Sequence, residues 1–571
     1  MSHISKLFSD HKVQIKNKSG FDLAHSNYLT QPCGTLIPVC TVPMLPNDSI
    51  SLGFMSQIKL PPMATSFYGR VDYRLEAFFV PYRILCGGWE NFLTQPVADP
   101  YGTLVERPHF LPNMFGRQFA AAMGRGQLAD YLGIKGVTLD SADSVSTSLS
   151  NILPFIAYHK IYDDWYRNAN IQKPAFVRPS AFTNGMSASA LPYINTTVTV
   201  SDVTTGGSLT GSNGSDMKID GSSSPLSSIR FGHSPFGKIW VSNNLGDGVS
   251  LFSLRQRNWS KDYFTNATLY PQQSGTTAGA GIKSALDTGD SSTTFTISQI
   301  RQANILQKWL ERNNIAGSRY ADQIRATFGI LPSDAMLDRP IFLGGSSFGI
   351  YTNSIAQTAN SAKGDSSNPY SGQAGSDAGQ SSGFGKDSLI DKFTASEHGL
   401  IMVLGSIVPH QNYSTGVNRI FAMSSFGDIP NPMFEGLGQE AILKAELSPC
   451  DFTSTGKANE VFGYTDQYSW MKYMNDEVHG LLVDGQNLDS FVLQRSFTAD
   501  DAVLSSSFLK IPRDFLDQVL AVKSEVSNFA AWANFYFDVK KTSLLSEYTI
   551  PTLGEPKNTH TETVPNTGRS L

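Results

Sequence analysis

The sequence predicts a mainly β protein: one large antiparallel sandwich interrupted by long loop insertions that contain a few helices. Two observations carry this prediction. Only 16% of the 571 residues are charged, whereas 49 Gly and 29 Pro supply many turns and 11% aromatic residues supply material for a core. Short apolar stretches bounded by turns lie near both ends of the chain and flank every Ser/Gly-rich or helical segment. This arrangement favours one domain over several in tandem.

Residues 1–30 are predicted to form a mildly basic arm. The segment has few apolar residues at regular spacing, and it carries the positive charges of Lys6, Lys12, Lys16 and Lys18. A disordered, solvated terminus is compatible with this pattern, and so is a segment that contacts nucleic-acid phosphates. The charge alone does not choose between the two.

Residues 31–554 are predicted to form the single sandwich domain. Its first strands are expected between Leu36 and Pro81, where apolar runs alternate with proline-rich turns. In the segment that begins at Pro154, apolar residues recur at three- and four-residue steps, which predicts a helix. Two further helices are predicted in SQIRQANILQKWLERN and RYADQIRATFGI, and both are expected to pack flat on the sandwich.

Three stretches are poor in large apolar residues and rich in Ser, Gly, Thr and Asn, at about 195–228, 271–295 and 353–388. Loops of this composition lie on protein surfaces. We therefore predict surface excursions, of which 271–295 and 353–388 are flexible Gly/Ser-rich loops. Residues 555–571 are predicted to be a polar C-terminal tail.

Overall charge and cysteine usage exclude several classes of protein. A net charge of -5 and a pI near 6.1 give no global field of the kind found in dedicated nucleic-acid binders, so any such contact must be local. The four cysteines are irregularly spaced, unlike a disulfide framework or a zinc site. The sequence has no apolar signal segment and no run long enough to span a bilayer, which predicts neither export nor membrane insertion.

A search for catalytic motifs is largely negative. GSSFG at Gly345–Gly349 matches the nucleophile elbow of hydrolases, but it opens a Ser/Gly/Asn-rich stretch rather than a helix, so Ser347 is interpreted as a loop serine. Asp163 and Asp164 are neighbours on a predicted helix, where a solvated or interface-facing edge is favoured over an acid–base pair. The histidines do not fall at ligand spacing. The sequence therefore predicts no catalytic residue, no metal ligand and no cofactor, and hence not an enzyme.

Seven long strings of the sequence are distinctive: FFVPYRILCGGWENF, PFIAYHKIYDDWYRN, SLRQRNWSKDYFTNA, RQANILQKWLERN, SRYADQIRATFGILPSDAMLDRPIFLGG, EHGLIMVLGSIVP and FGYTDQYSWMKYMNDEVHG. These strings resemble the major coat protein of the Microviridae, small single-stranded DNA phages, and specifically of its gokushovirus branch. They follow the family's order and cover most of the chain outside the Ser/Gly-rich segments and the extreme ends.

This resemblance implies an eight-stranded antiparallel jelly roll and the function of a major capsid protein, which assembles into a T=1 icosahedral shell around circular single-stranded DNA. The implied partners are further copies of the chain, the packaged DNA, a small basic internal DNA-binding protein and a host-cell receptor. The implied location is the virion, assembled in the bacterial cytoplasm. The arm would then face the interior, with its four lysines as candidate DNA contacts. Residues from about 195 to 250 are the candidate for a host-facing threefold protrusion, and the Gly/Ser-rich segments near 275 and 365 compete for that role.

Subunits of a shell need surfaces that anchor neighbouring copies, and Trp, Tyr and Arg are frequent anchors. The candidates are Trp165, Arg167, Arg257, Trp259 and Trp470. Burial of these tryptophans within the subunit is an equally compatible interpretation.

Two other functions can be weighed against a capsid subunit. A carbohydrate-binding or hydrolytic sandwich would need clustered exposed aromatic residues or a carboxylate pair at a cleft. A replication protein would need a catalytic tyrosine or metal-binding carboxylates and a stronger basic balance. The sequence shows neither signature, so the capsid interpretation is favoured.

Overall fold

A computed structural model describes most of the predicted sandwich domain. The described residues are 18–63, 65–85, 125–134, 153–175, 253–271, 297–316, 319–330, 337–356, 377–423, 429–448, 460–520 and 531–545, with short stretches between 200 and 249 and at 333–334. Three of the arm lysines (Lys6, Lys12 and Lys16), the predicted tail 555–571 and nearly all of the predicted loop 271–295 lie outside them.

Strands dominate the described part of the chain. In chain order they are β1 Ser19–Asp22, β2 His25–Gln31, β3 Ile37–Met44, β4 Ser49–Lys59, β5 Val71–Pro81, β6 Val200–Ser201, β7 Leu209–Thr210, β8 Asp216–Met217, β9 Ile229–Gly232, β10 Lys238–Val241, β11 Ile341–Ala356, β12 Asp377–Thr394, β13 Gly399–Pro409, β14 Asn412–Tyr413, β15 Gln439–Leu443, β16 Val461–Asp466, β17 Asp476–Glu477 and β18 Ala531–Ser543.

The helices lie between strand regions, as predicted. They are α1 Tyr82–Leu85, α2 Leu128–Tyr131, α3 Leu153–Ile161, α4 Ile297–Ala316, α5 Tyr320–Phe328, α6 Ser469–Lys472 and α7 Ser506–Leu509. A π-helical turn, Tyr162–Tyr166, continues α3, and short 3-10 turns include Arg419–Ala422 and Pro432–Leu437.

Nine strands form one large antiparallel sheet in the order β1-β18-β4-β12-β11-β5-β13-β3, with β2 also paired to β18. Strand β2 pairs with the first half of β18 and β1 with its last four residues, so the sheet has eight positions across its width. The predicted mainly β jelly-roll fold is confirmed.

The core lies inside the curl of this sheet, because its strands alternate between buried and exposed residues. In β18 every second side chain from Ala531 to Val539 is buried, including Phe535 and Phe537, while the side chains between them are exposed. The buried Tyr73 hydroxyl donates to Gln31 Oε1 at 2.7 Å, which satisfies the polar group of a ring packed against Phe535. The alternation separates a core face from an outer face.

The outer face is covered over only part of its width. There α3 and α1 pack against β5 and β13, burying a second apolar cluster that includes Phe78, Tyr158 and Met402. The Tyr158 hydroxyl donates to the carbonyl of Leu36 at 2.8 Å and accepts from the backbone amide of Arg255 at 2.7 Å. The helix predicted to begin at Pro154 therefore covers the sheet at β5 and β13.

Parts of the predicted arm and of the predicted loop 353–388 form strands instead. Their side chains give little indication of a strand in the sequence, but neighbouring strands supply the hydrogen bonds that the backbone needs. Strands β1 and β2 occupy residues 19–30 of the predicted arm, since both pair with β18. Of the predicted loop 353–388, the described ends belong to β11 and β12, which pair with each other; residues 357–376 lie outside the described part. The GSSFG motif is likewise strand rather than turn, and Ser347 lies opposite Arg74 of β5.

The candidate protrusion at about 195–250 is described only as short strands. Within it, β6, β10 and β9 form a three-stranded sheet, and β7 pairs with β8. Neither small sheet pairs with the large one in the described residues.

Candidate functional site

Four of the five predicted interface anchors meet at one polar cleft. A cavity of about 420 Å³ lies between the turn that follows α3, the segment 257–268, the end of α4 and β16, and Trp165, Arg167, Arg257 and Trp259 contribute to its lining. Trp470 is elsewhere, packed against a third apolar cluster around Tyr413 and Phe462.

Arg257 forms a two-point ion pair beside the cleft. Its two terminal nitrogens donate to the Glu76 carboxylate at 2.7 and 2.9 Å, and one also reaches Ser406 Oγ at 3.0 Å. The Tyr166 hydroxyl donates to the same carboxylate. Burial alone would lower the pKa of Arg257 and raise the pKa of Glu76. In each case the interaction with the oppositely charged partner has the larger effect, so the pKa of Arg257 is raised and the pKa of Glu76 is lowered.

The other three cleft anchors also make contacts within the subunit. Trp165 Nε1 donates to the carbonyl of Pro340 at 2.9 Å, and Arg167 pairs with Asp163 at 2.6 Å. Trp259 is buried edge-on against Phe515, with ring centroids 4.9 Å apart. In the described subunit these side chains join the sheet to its insertions.

A different part of the molecule leaves large apolar side chains exposed. These lie on α4 and α5, on the two 3-10 turns and on and after α6, and we call them the helical surface. Its members are Ile305, Trp309, Ile315, Tyr320, Phe328, Ile330, Phe421, Met433, Met471, Tyr473 and Met474. Phe328 is 72% exposed and Met474 98% exposed, so neither takes part in the subunit core.

The expectation of flat packing on the sandwich is wrong for α5, whose aligned Tyr320 and Phe328 are 70% and 72% exposed. On α4, Ile305 and Trp309 are 69% and 44% exposed, whereas Leu310, on the face predicted to pack, is buried. The periodicity of the sequence identified both helices correctly but could not show what covers them.

Strand β15 contacts three of the segments that carry the helical surface. Glu440 accepts from Arg419 of the first 3-10 turn at 2.7 Å and from the backbone amide of Tyr468, next to α6, at 3.0 Å. Gln439 Oε1 accepts from Asn314 Nδ2 of α4 at 3.3 Å. Arg419 also pairs with the buried Glu446 at 2.8 Å, and although burial favours a lower pKa, the two carboxylates raise the pKa of Arg419. Hydrogen bonds and ion pairs therefore fix several of the backbone segments that carry these apolar side chains.

Lys18 is the one arm lysine among the described residues. Its Nζ donates to both the carbonyl and the side-chain oxygen of Asn47 at 2.9 Å, while the side chain remains exposed. This contact fixes the arm next to the turn between β3 and β4.

No metal or membrane feature accompanies these surfaces in the described ranges. There, no group of three or more His, Cys, Asp and Glu side chains could hold a metal ion. Asp163 and Asp164, weighed above as a catalytic pair, instead form ion pairs with Arg167 and Lys160. Among the same residues, no helix combines the length and the apolar character needed to cross a bilayer.

Comparison with known proteins identifies the relatives of this chain. A family model described as capsid protein (F protein) matches residues 10–553. Capsid protein VP1 of Chlamydia phage 1 is 26% identical, with 96% of this chain and 97% of that protein aligned. Capsid protein VP1 of Bdellovibrio phage phiMH2K is 24% identical over 90% of this chain and 92% of the relative. Capsid protein VP1 of Spiroplasma virus 4 is 23% identical over 94% and 95%.

Proposed function

The chain belongs to the capsid protein (F protein) family of the Microviridae, and on that premise we propose that its copies close into a T=1 icosahedral shell around circular single-stranded DNA. The family and its relatives make it a structural protein of the virion capsid rather than an enzyme. The resemblance to gokushoviruses noted above is confirmed.

The observation that supports self-assembly most directly is the helical surface. Isolated soluble proteins rarely expose an apolar surface of this extent without a partner for it. If each member contributes about 100 Å², the helical surface offers roughly 1,000 Å² of apolar side chain, comparable with the ~800 Å² that each partner buries in a stable interface. Because the chain is a capsid protein, a second copy of the chain is the expected partner of this surface.

Exposed methionine and aromatic side chains suit such a contact. Met433 and Met474 are unbranched and adaptable, and Phe328 and Tyr473 add large rigid rings. The exposed ion pair between Lys472 and Glu435, 2.9 Å apart, lies among them and contributes polarity at the rim. A contact repeated by symmetry in a closed shell can be individually weak.

The cleft anchors and Trp470 have a secondary role in this proposal. Since Trp165, Arg167, Arg257 and Trp259 are engaged within the subunit, they would shape the surface presented to a neighbouring copy rather than form most of the contact. Trp470 precedes Met471 on α6, and its packing against the third apolar cluster would hold Met471 in place at the contact.

The remaining parts of the proposal concern partners. A small basic internal protein would neutralise DNA charge that the arm cannot balance, because the arm has only the four lysines at positions 6, 12, 16 and 18. The segment 195–250 would form the threefold protrusion that meets a host receptor, since it is an insertion outside the large sheet. Assembly would take place in the bacterial cytoplasm.

Electron microscopy of the protein purified from infected cells, together with its content of nuclease-protected DNA, tests this function. We expect uniform small icosahedral particles that hold protected single-stranded DNA. A soluble monomer without DNA would contradict the proposal and favour a binding module instead.

The arm gives a separate prediction. Lys6, Lys12, Lys16 and Lys18 replaced together by Ala should lower the DNA content of particles while shells still form, because phosphate neutralisation is lost but the sheet and helical surface are intact. The measurement is the ratio of DNA to protein in purified particles. Replacement of the same lysines by Arg, which retains the charge, serves as the control, and unchanged DNA content in the Ala variant would contradict an arm–DNA contact.

A further inference from the structure

The part of the sheet beyond the strands that α1 and α3 cover carries exposed aromatic rings on its outer face. Five rings project from four of its strands: Tyr28 of β2, Trp532 and Tyr536 of β18, Phe384 of β12 and Tyr351 of β11. Tyr28 and Tyr351 are each 74% exposed and Phe384 is 66% exposed. We call this set the aromatic sheet face.

Strand register places the rings in rows with polar and basic side chains between them. One row runs Thr30, Trp532, Lys59, Ser382 and Tyr351 across five strands. The next row runs Tyr28, Asn534, Gln57 and Phe384, and a third runs Ser26, Tyr536, Met55 and Lys386. Residues directly opposite one another on neighbouring strands lie about 5 Å apart, so rings and polar groups alternate across the face.

The charge of these rows is positive. Lys59 and Lys386 belong to them, and the three rows as described contain no carboxylate. The nearest acidic residues on these strands, Asp538 and Asp387, lie outside the rows, and Asp538 is within 3.6 Å of Lys540. A face with this balance complements an anionic partner better than a neutral one.

A groove adjoins one end of the face. Tyr28, Gln57, Lys59, Trp532 and Asn534 line one side of a cavity of about 870 Å³, a size typical of small-molecule sites. The opposite side includes Arg125, Tyr131 and Asp130, the last of which accepts from the backbone amide of Gly126 at 3.0 Å. Aromatic rings, side-chain amides and cationic groups therefore line the same cavity.

This combination differs from the helical surface, where apolar side chains predominate. Flat aromatic rings with nearby cations are the elements by which proteins bind single-stranded nucleic acid, because every base can stack and every linkage carries a phosphate. The basic arm joins the other end of the same strand, since β1 follows Lys18 directly and pairs with the last four residues of β18. The rings and the neighbouring cations together favour a nucleic acid over a second copy of the chain.

We infer that the aromatic sheet face binds single-stranded DNA, with bases stacked on Tyr28 and Trp532 and phosphates next to Lys59 and Arg125. The inference rests on the proposed function, because it assigns the packaged DNA to a particular surface of the subunit. The amides of Gln57 and Asn534 lie between the rings, where they can donate to base edges without fixing a sequence.

The test is binding of a fluorescent oligothymidylate to the purified full-length chain, followed by anisotropy. Tyr28→Ala and Trp532→Ala should each weaken binding by about 5- to 100-fold, the loss expected for one stacked base. Tyr28→Phe keeps the ring and should bind nearly as wild type. Lys59→Gln should reduce the dependence of affinity on salt concentration. Tyr473→Ala, which removes an exposed ring of the helical surface, is the matched control and should bind normally.

Each other outcome overturns the inference. Wild-type affinity in both alanine variants would show that the rings do not contact DNA. Loss of shells without loss of oligonucleotide binding would instead identify the face as a subunit contact. Displacement of the oligonucleotide by dextran, a neutral polysaccharide, would identify a sugar site. Shell formation is scored separately by microscopy, so failure of the capsid proposal and failure of this inference give different results.

Discussion

Phe328→Asp and Met474→Asp should each abolish shell formation by the purified protein while leaving the subunit folded. Both side chains are more than two-thirds exposed in the subunit, so a carboxylate there remains hydrated before assembly. Burying an unpaired charge in an apolar contact costs about 3 kcal/mol or more, which weakens each contact by more than about 100-fold. Sedimentation velocity and electron microscopy would measure the yield of shells.

A matched variant separates this effect from a general effect of added charge. Leu545→Asp places a carboxylate at another exposed apolar position, beyond the end of β18, and should assemble normally. Circular dichroism should show the same strand content in all three variants. Normal shells from both surface variants would mean that the helical surface is not a contact between copies.

Arg257→Met should lower the free energy of unfolding of the subunit by about 3–5 kcal/mol, the usual result of removing one partner of a buried ion pair. Both side chains are mostly shielded, at 12% exposed for Arg257 and 21% for Glu76, so the remaining carboxylate would lack its main counter-charge. Urea denaturation of the unassembled protein, followed by tryptophan fluorescence, would measure the change. Lys472→Met removes an exposed ion pair and should cost less than about 1 kcal/mol.

The loss in Arg257→Met should shrink as the pH falls. In the wild type the pKa of Glu76 is lowered, so its pairing stabilises the fold above its unfolded pKa and is lost as the pH drops through the folded value. In the variant, burial without Arg257 should raise that pKa, so protonation relieves the penalty. Adding Glu76→Gln to Arg257→Met should therefore recover stability at neutral pH. A pH-independent loss would point to packing rather than charge as the cause.

The sequence contained enough information for the fold class and for three main helices. The helix behind Pro154, α4 and α5 repeat apolar residues at helical spacing, a local pattern that can be read from neighbouring residues. Strands β1, β11 and β12 were harder because they are rich in Ser, Gly or polar residues. Their conformation depends on the hydrogen bonds that distant strands supply.

The candidate sites were also only partly predictable from the sequence. Residue type made Arg257 and Trp259 candidate interface anchors, but it did not show that Arg257 pairs with Glu76 or that Trp259 packs on Phe515. The helical surface contains Tyr320 and Phe328, whose spacing fitted ordinary packing on the sandwich. No local signal distinguishes an apolar helix face that is covered from one that is exposed.

The sequence by itself determined the mainly β fold, the family and the absence of catalytic motifs, because alternation, composition and long matching strings are properties of the chain read in order. Only the tertiary structure decided which surfaces remain open. The row that joins Trp532, Lys59 and Tyr351 brings together residues from three distant parts of the chain. Such a row depends on strand register, which long-range hydrogen bonding and burial of the opposite face set together.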